Sequence, residues 1–134
     1  MPRVVIVSAS KRTASFHSGQ RLHRPEEFSS VMAARKVVRG ASFDLHYRVT
    51  GTAKTARLGL IVPKRLARAS SLRNAIKRQG REAFRLAAAG ISSCDLVLRL
   101  TRLVAGVRAS DVEQHRVWRA EIETLLRRLP ARQD

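Results

Sequence analysis

The stretch RLGLIVPKRLARASSLRNAIKRQGREAFR, residues 57–85, decides how the chain is read. Arg57 to Val62 form a short, almost continuously apolar run, which predicts a central β-strand. Pro63 has no N–H to donate and ends the ladder. Lys64 to Ala69 make a basic connection, and Ser70 or Ser71 is placed to cap a helix. That helix is predicted over residues 71–88, with Gly90 as its stop signal. Advancing about 100° per residue from Arg73, the cations Lys77, Arg78, Arg81 and Arg85, with Asn74, fall between about 0° and 140°. Leu72, Ile76, Gly80, Ala83, Leu86 and Ala87 fall between about 220° and 340°, with Phe84 at the edge. One face is made to bury. The other gathers five cations that repel one another. Glu82, outside the arc, is the only nearby acid. Stability does not account for such a face, whereas a polyanionic partner does.

The whole chain repeats that message. Its 134 residues suit one domain, and 44% hydrophobic content supports a core. The net charge is +17 and the sequence pI about 11.8, the electrostatic footprint of a nucleic-acid binder. Residues 64–85 alone carry eight Lys/Arg against one acid, while residues 86–134 carry eight against six and read as scaffold. The single cysteine, Cys94, permits no intrachain disulfide and fits a small core residue in a reducing compartment. The apolar run Val4 to Val7 is too short for a signal peptide, and no segment has the apolar length of a membrane span. A soluble, cytoplasmic protein is the expectation.

Residues 1–22 are basic, Ser-rich and aperiodic, and are expected to be a flexible tail. Pro25, Glu26 and Glu27 open a short helix over about 25–35, with Phe28, Val31 and Met32 on its apolar side. Val37 to Gly40 read as a connector. Phe43 to Val49 alternate as a half-buried strand, with Asp44, His46 and Arg48 on the polar side. Thr50 to Lys54 read as a loop and Asp95 to Leu100 as a third strand. Ser110-Asp111-Val112-Glu113 has the form of a capping box before a last helix over 111–129, striped by Trp118, Ile122, Leu125 and Leu129. Trp118 and Phe84 are assigned to the core. The order is α-β-β-α-β-α, an α+β sandwich of a small sheet with helices mostly on one face, one domain over residues 23–129 and a tail at 130–134.

Residues 57–85 also resemble the protein subunit of bacterial ribonuclease P. Gly59, Val62, Pro63, Lys64 and Arg65 match that family's strand end. Arg73, Asn74, Lys77, Arg78, Arg81, Glu82, Ala83 and Phe84 match its R-N-R helix, with Ala75 standing where a second Arg is usual. Residues 21–48 are similar to the family's opening, with Met32 where an aromatic is common and His46 where a Tyr is common. The resemblance spans about 21–129. It implies a ribosomal-protein-like α+β fold with a mixed sheet and a left-handed β-α-β crossover. It also implies removal of the 5′ leader from precursor tRNA by a ribonucleoprotein endonuclease. In that family a large RNA subunit with bound magnesium performs the hydrolysis, so the expected partners are that RNA, one copy per protein, and precursor tRNA.

The candidate RNA surface is Lys64, Arg65, Arg68, Arg73, Asn74, Lys77, Arg78, Arg81 and Arg85. Arginine suits phosphate through its planar fork. Asn74 is open to two readings, a bond to ribose or base and a helix cap. The resemblance places Phe28, Met32, His46 and Arg48 in a cleft for the leader, where an exposed ring stacks on an unpaired base. On spacing alone Phe28 reads as core and His46 as surface. No paired carboxylates, phosphate loop or Cys/His cluster is present, and His17, His23, His46 and His115 are scattered. Asp44 is a weak candidate for a magnesium site shared with RNA phosphates. The competing reading from composition is a ribosomal or ribosome-assembly RNA-binding protein without a cleavage role.

Overall fold

The computed structural model describes residues 20–50, 56–91 and 93–130. The loop expected at Thr50 to Lys54 lies outside them except for Thr50, and so do the expected tails except for residues 20–22 and Pro130.

Three helices and a four-stranded mixed sheet make up the fold, an α+β arrangement. In chain order they are α1 (Pro25–Ala33), β1 (Lys36–Arg39), β2 (Phe43–Val49), β3 (Arg57–Ile61), α2 (Ser70–Ala87), β4 (Cys94–Leu100) and α3 (Val112–Arg127). The strands lie in the order β1-β2-β4-β3. β1 and β4 both run antiparallel to β2, and β3 runs parallel to β4, since α2 carries the chain back between them.

β1 occupies the segment expected to be a connector. Four residues, KVVR, give too little pattern to announce a strand. Arg35 takes a left-handed φ of 56° directly after α1, and this turn delivers Lys36 into pairing with Tyr47. β3 lies at the edge of the sheet and not at its centre as expected; β2 and β4 are the interior strands. β3 is apolar because both its faces are covered, not because strands flank it. Its outer edge is partly occupied, as the Leu22 amide donates to the Leu58 carbonyl at 3.1 Å and Arg21 bridges Leu58. Leu22 itself is buried.

Alternation along the strands separates two layers. Phe43, Leu45, Leu58, Leu96, Leu98 and Leu100 face α2 and α3, where they meet Ile76, Phe84, Trp118, Ile122 and Leu125 in the main core. Gly80 lets α2 settle on the sheet, for a Cβ there would stand 2.9 Å from Leu60 and 3.0 Å from Leu98. Cys94 is buried, as expected. Val97 and Ile61 face the other way and carry α1 through Phe28, Val31 and Met32.

Helix starts differ in detail from the sequence reading. Ala69, not a serine, occupies the N-cap of α2, and no side chain caps it; Ser70 is already helical. The N-cap of α3 is Asp111, whose Oδ1 accepts from the Gln114 amide at 3.1 Å. The Ser110–Glu113 box does not form, because Glu113 turns outward to Arg116 at 2.8 Å. On α2, Leu86 is 60% exposed despite its place at the margin of the apolar arc, while Gln79 is buried.

Candidate nucleic-acid interface

Two surfaces collect the residues singled out in the sequence. The first is the outer face of α2 with the linker before it. Lys64, Arg65 and Arg68 are exposed in the turn after Pro63, whose carbonyl accepts from the Leu66 and Ala67 amides. Asn74 and Arg78 are exposed, and Lys77 and Arg81 are half-buried along their stems. Burial, then the like charges of Arg21 and Arg78, hold the Arg81 guanidinium below its usual pKa. Arg21 thus belongs electrostatically to the α2 surface. Sequence reasoning missed it by placing it in the tail; only the bridge to β3 brings it there.

Two cations of the arc have protein partners. Arg73 donates from Nη1 to the carbonyls of Ala67 and Arg68, at 3.0 and 2.7 Å, and so ties the linker to the helix. Arg85 pairs with Glu82 at 3.1 Å, one turn away, which raises the arginine's pKa and lowers the carboxyl's. The acid set aside as lying beyond the arc therefore engages its last cation.

The second surface is the sheet face beneath α1. Phe28 and Met32 are half-buried beside Val31, Val97, Leu22 and Ile61. The Phe28 ring lies on the backbone of Gly59, where a Cβ would come within 2.4 Å of it. Strand register continues this face through His46 and Arg48 of β2. His46 is half-buried, and its Nε2 is enclosed without a hydrogen-bond partner. Burial lowers its pKa, opposed by Asp44 and reinforced by Arg99 and Arg39. Arg48 is exposed, 4.0 Å from Asp95.

A salt-bridge cluster sets the angle of α1 on this face. Arg57 forks onto Asp95 with both bonds at 2.9 Å and reaches Glu27 with Nη1 at 2.7 Å. The Asp95 side chain is 4% exposed, and the pairing holds Arg57 above its ordinary pKa. The other oxygen of Glu27 accepts from the His23 and Arg24 amides, at 2.7 and 2.9 Å. These backbone donors, with Arg57, hold the Glu27 carboxyl well below the usual range, at about 2. One carboxylate both caps α1 and fastens it to β3.

Asp44 accepts from Arg39 at 3.1 Å. Among the described residues no three His, Cys, Asp or Glu side chains come together as a metal site. These described residues therefore offer no donor set for magnesium on the protein, and the resemblance places that ion mainly on the RNA. Among the same residues, no helix is long and apolar enough to cross a membrane.

The family model for Ribonuclease P matches residues 16–129, both surfaces included. This chain belongs to the ribonuclease P protein family. The ribonuclease P protein component of Azoarcus sp. (strain BH72) is 46% identical over 85 residues, covering 63% of this chain and 70% of that protein. The corresponding protein of Bordetella petrii is 40% identical over 107 residues, covering 77% of this chain and 85% of its own. The fold agrees with the RNase P protein of Staphylococcus aureus, with a TM-score of 0.68 at 21% identity over 81% of this chain and 93% of that one. It agrees also with that of Thermotoga maritima, with a TM-score of 0.65 at 23% identity over 82% and 97%. Membership decides between the two readings that composition left open. The role of the ribonuclease P family is maturation of the tRNA 5′ end, in association with ribonuclease P RNA. In this chain, the cationic arc and the α1 face lie on different elements joined through β3, which contributes Gly59 to one and leads through Pro63 into the other.

Proposed function

We propose that this chain is the RNA-positioning subunit of a ribonucleoprotein endonuclease and takes no chemical part in cleavage. The linker and α2, from Lys64 to Arg85, bind the ribonuclease P RNA, one protein per RNA. The face formed by Phe28, Met32, His46 and Arg48 receives the single-stranded 5′ leader of precursor tRNA. Magnesium held mainly by the RNA supplies the phosphodiester hydrolysis.

The observation that carries the reading is the same-sign face itself: Lys64, Arg65, Arg68 and Arg78 are exposed, with Lys77 and Arg81 half-buried beside them, and Arg21 is near enough that, after burial, its charge and that of Arg78 depress Arg81. Folding alone gains nothing from bringing these charges together. RNA phosphates turn the repulsion into attraction and release counterions, which makes the affinity steeply salt-dependent. On the second face, Gly59 fixes the Phe28 ring and removes the entropy of ordering it on binding. A base stacked there gains about 1–3 kcal/mol.

Reconstitution tests the whole reading. Protein, ribonuclease P RNA and a leader-bearing precursor tRNA are mixed at low magnesium, with cleavage expected well above that of the RNA alone. No gain would sink the proposal. Phe28→Ala should weaken binding of leader-bearing precursor by about tenfold and leave mature tRNA unchanged; equal losses on both would return Phe28 to a packing role.

A further inference from the structure

The RNA surface of α2 does not stop at the helix. A groove runs between α2 and the start of α3, bordered by Ser71, Asn74, Ala75 and Arg78 on one side and Arg119 on the other. Its floor contains Gln79, a polar side chain only 8% exposed. Arg119 Nε donates to Gln79 Oε1 at 3.0 Å. This is the one side-chain hydrogen bond of Arg119 among the described residues, and it orients the guanidinium while leaving both terminal NH2 groups unspent. Glu82 also borders the groove; Arg85 holds its carboxylate by hydrogen bonds, and the charges of Arg119 and Arg78 also act on it, so the groove carries two arginines against one acid already paired with a third. Ala75 lines the groove beside them with only a methyl group.

We infer that this groove is a phosphate-binding subsite for the RNA backbone, with Arg119 of α3 as its anchoring residue. The deciding features are a buried amide that aims an arginine fork into an open channel and a second arginine across it. An arginine held this way loses little side-chain freedom on binding, and its planar fork matches two phosphate oxygens. The strand of RNA that follows the outer face of α2 thus continues onto α3, widening the footprint. This inference rests on the reading that α2 binds ribonuclease P RNA.

The test is a salt series of dissociation constants for the full chain with ribonuclease P RNA. Arg119→Gln should weaken binding on the order of tenfold and reduce the slope of log K against log salt by about 1. Arg127→Gln removes the same charge from the far end of α3 and should leave the slope unchanged. Should Arg119→Gln lower the melting temperature by orphaning Gln79, the pair Arg119→Met with Gln79→Leu replaces both partners by apolar side chains. That double variant should show the same loss of slope. A wild-type slope in these variants, or an equal loss in Arg127→Gln, would overturn the inference. Lys77→Gln, on the arc but away from the groove, separates the two claims. If it lowers the slope while the Arg119 variants do not, only the groove falls; if none lowers it, the α2 reading falls as well.

Discussion

Glu27 shows how much a single side chain can hold. It stabilises the first turn of α1 through two backbone amides and fastens the helix to the sheet through Arg57. Its folded pKa, about 2, lies below the ordinary 4.5. The ionised form is the one that folding favours. The stability it contributes is therefore present above about pH 4.5 and is lost as pH falls from there towards 2. Glu27→Gln should cost roughly 1–2 kcal/mol at pH 7, the range for losing a cap and a charge-assisted bond. Urea unfolding at a series of pH values checks this: the gap between wild type and variant should close as pH approaches 2. A gap that stays constant would mean that the charge is not what matters. The sequence indicated half of this arrangement, because an acid in the first turn is a helix-start signal. Its pairing with Arg57 joins positions 30 residues apart, and no local pattern encodes that. Gln79 differs. At about 240° on the helical wheel it sits within the apolar arc. Its polarity hid a burial that its angle would have predicted.

α2 divides its cations between two tasks that the helical wheel merges. Arg73 holds the linker and Arg85 holds Glu82, while Lys77, Arg78 and Arg81 face outward with like charge nearby. Replacing Lys77, Arg78 and Arg81 together with Gln should weaken RNA binding by two or more orders of magnitude, on the scale of several lost phosphate contacts. The melting temperature should hold or rise slightly, because repulsion is relieved. Arg73→Gln should instead lower the melting temperature, by freeing two linker carbonyls. Calorimetry alongside RNA titration distinguishes them, and a triple variant that unfolds would make the outward cations structural. The two-faced character of α2 was legible because a helix repeats every 3.6 residues and 18 residues give five turns of signal. β1 was not, because four residues give two alternations and the turn at Arg35 carries no glycine.

Across the molecule, the α+β class and the run of helices and strands from α1 to α3 followed from periodicity, apart from β1. The strand order did not. An apolar strand between two layers looks the same in sequence at an edge and at the centre, so β3 and β4 could be exchanged without changing the pattern. Only pairing settles it, and β4 pairs with β2 on one side and β3 on the other. A chain ending at Ser93 would keep the β1–β2 hairpin and the β3–α2 segment with no strand to join them. It should show no cooperative thermal transition by circular dichroism, and a sharp melt from it would contradict the central role of β4.

That arrangement has a consequence for biosynthesis. The ribosome releases the chain from its N-terminus, and the strand that unites the sheet comes after α2. During that interval the cationic helix is outside the ribosome while its apolar face has no sheet to rest on. On the proposed function, RNA that engages the helix at that stage would neutralise its charges before the tertiary structure closes, and ligand affinity adds to the stability of whichever state it binds. The proposed RNA contact of α2 would then couple assembly and completion of the fold in time through nothing more than the position of one strand in the chain.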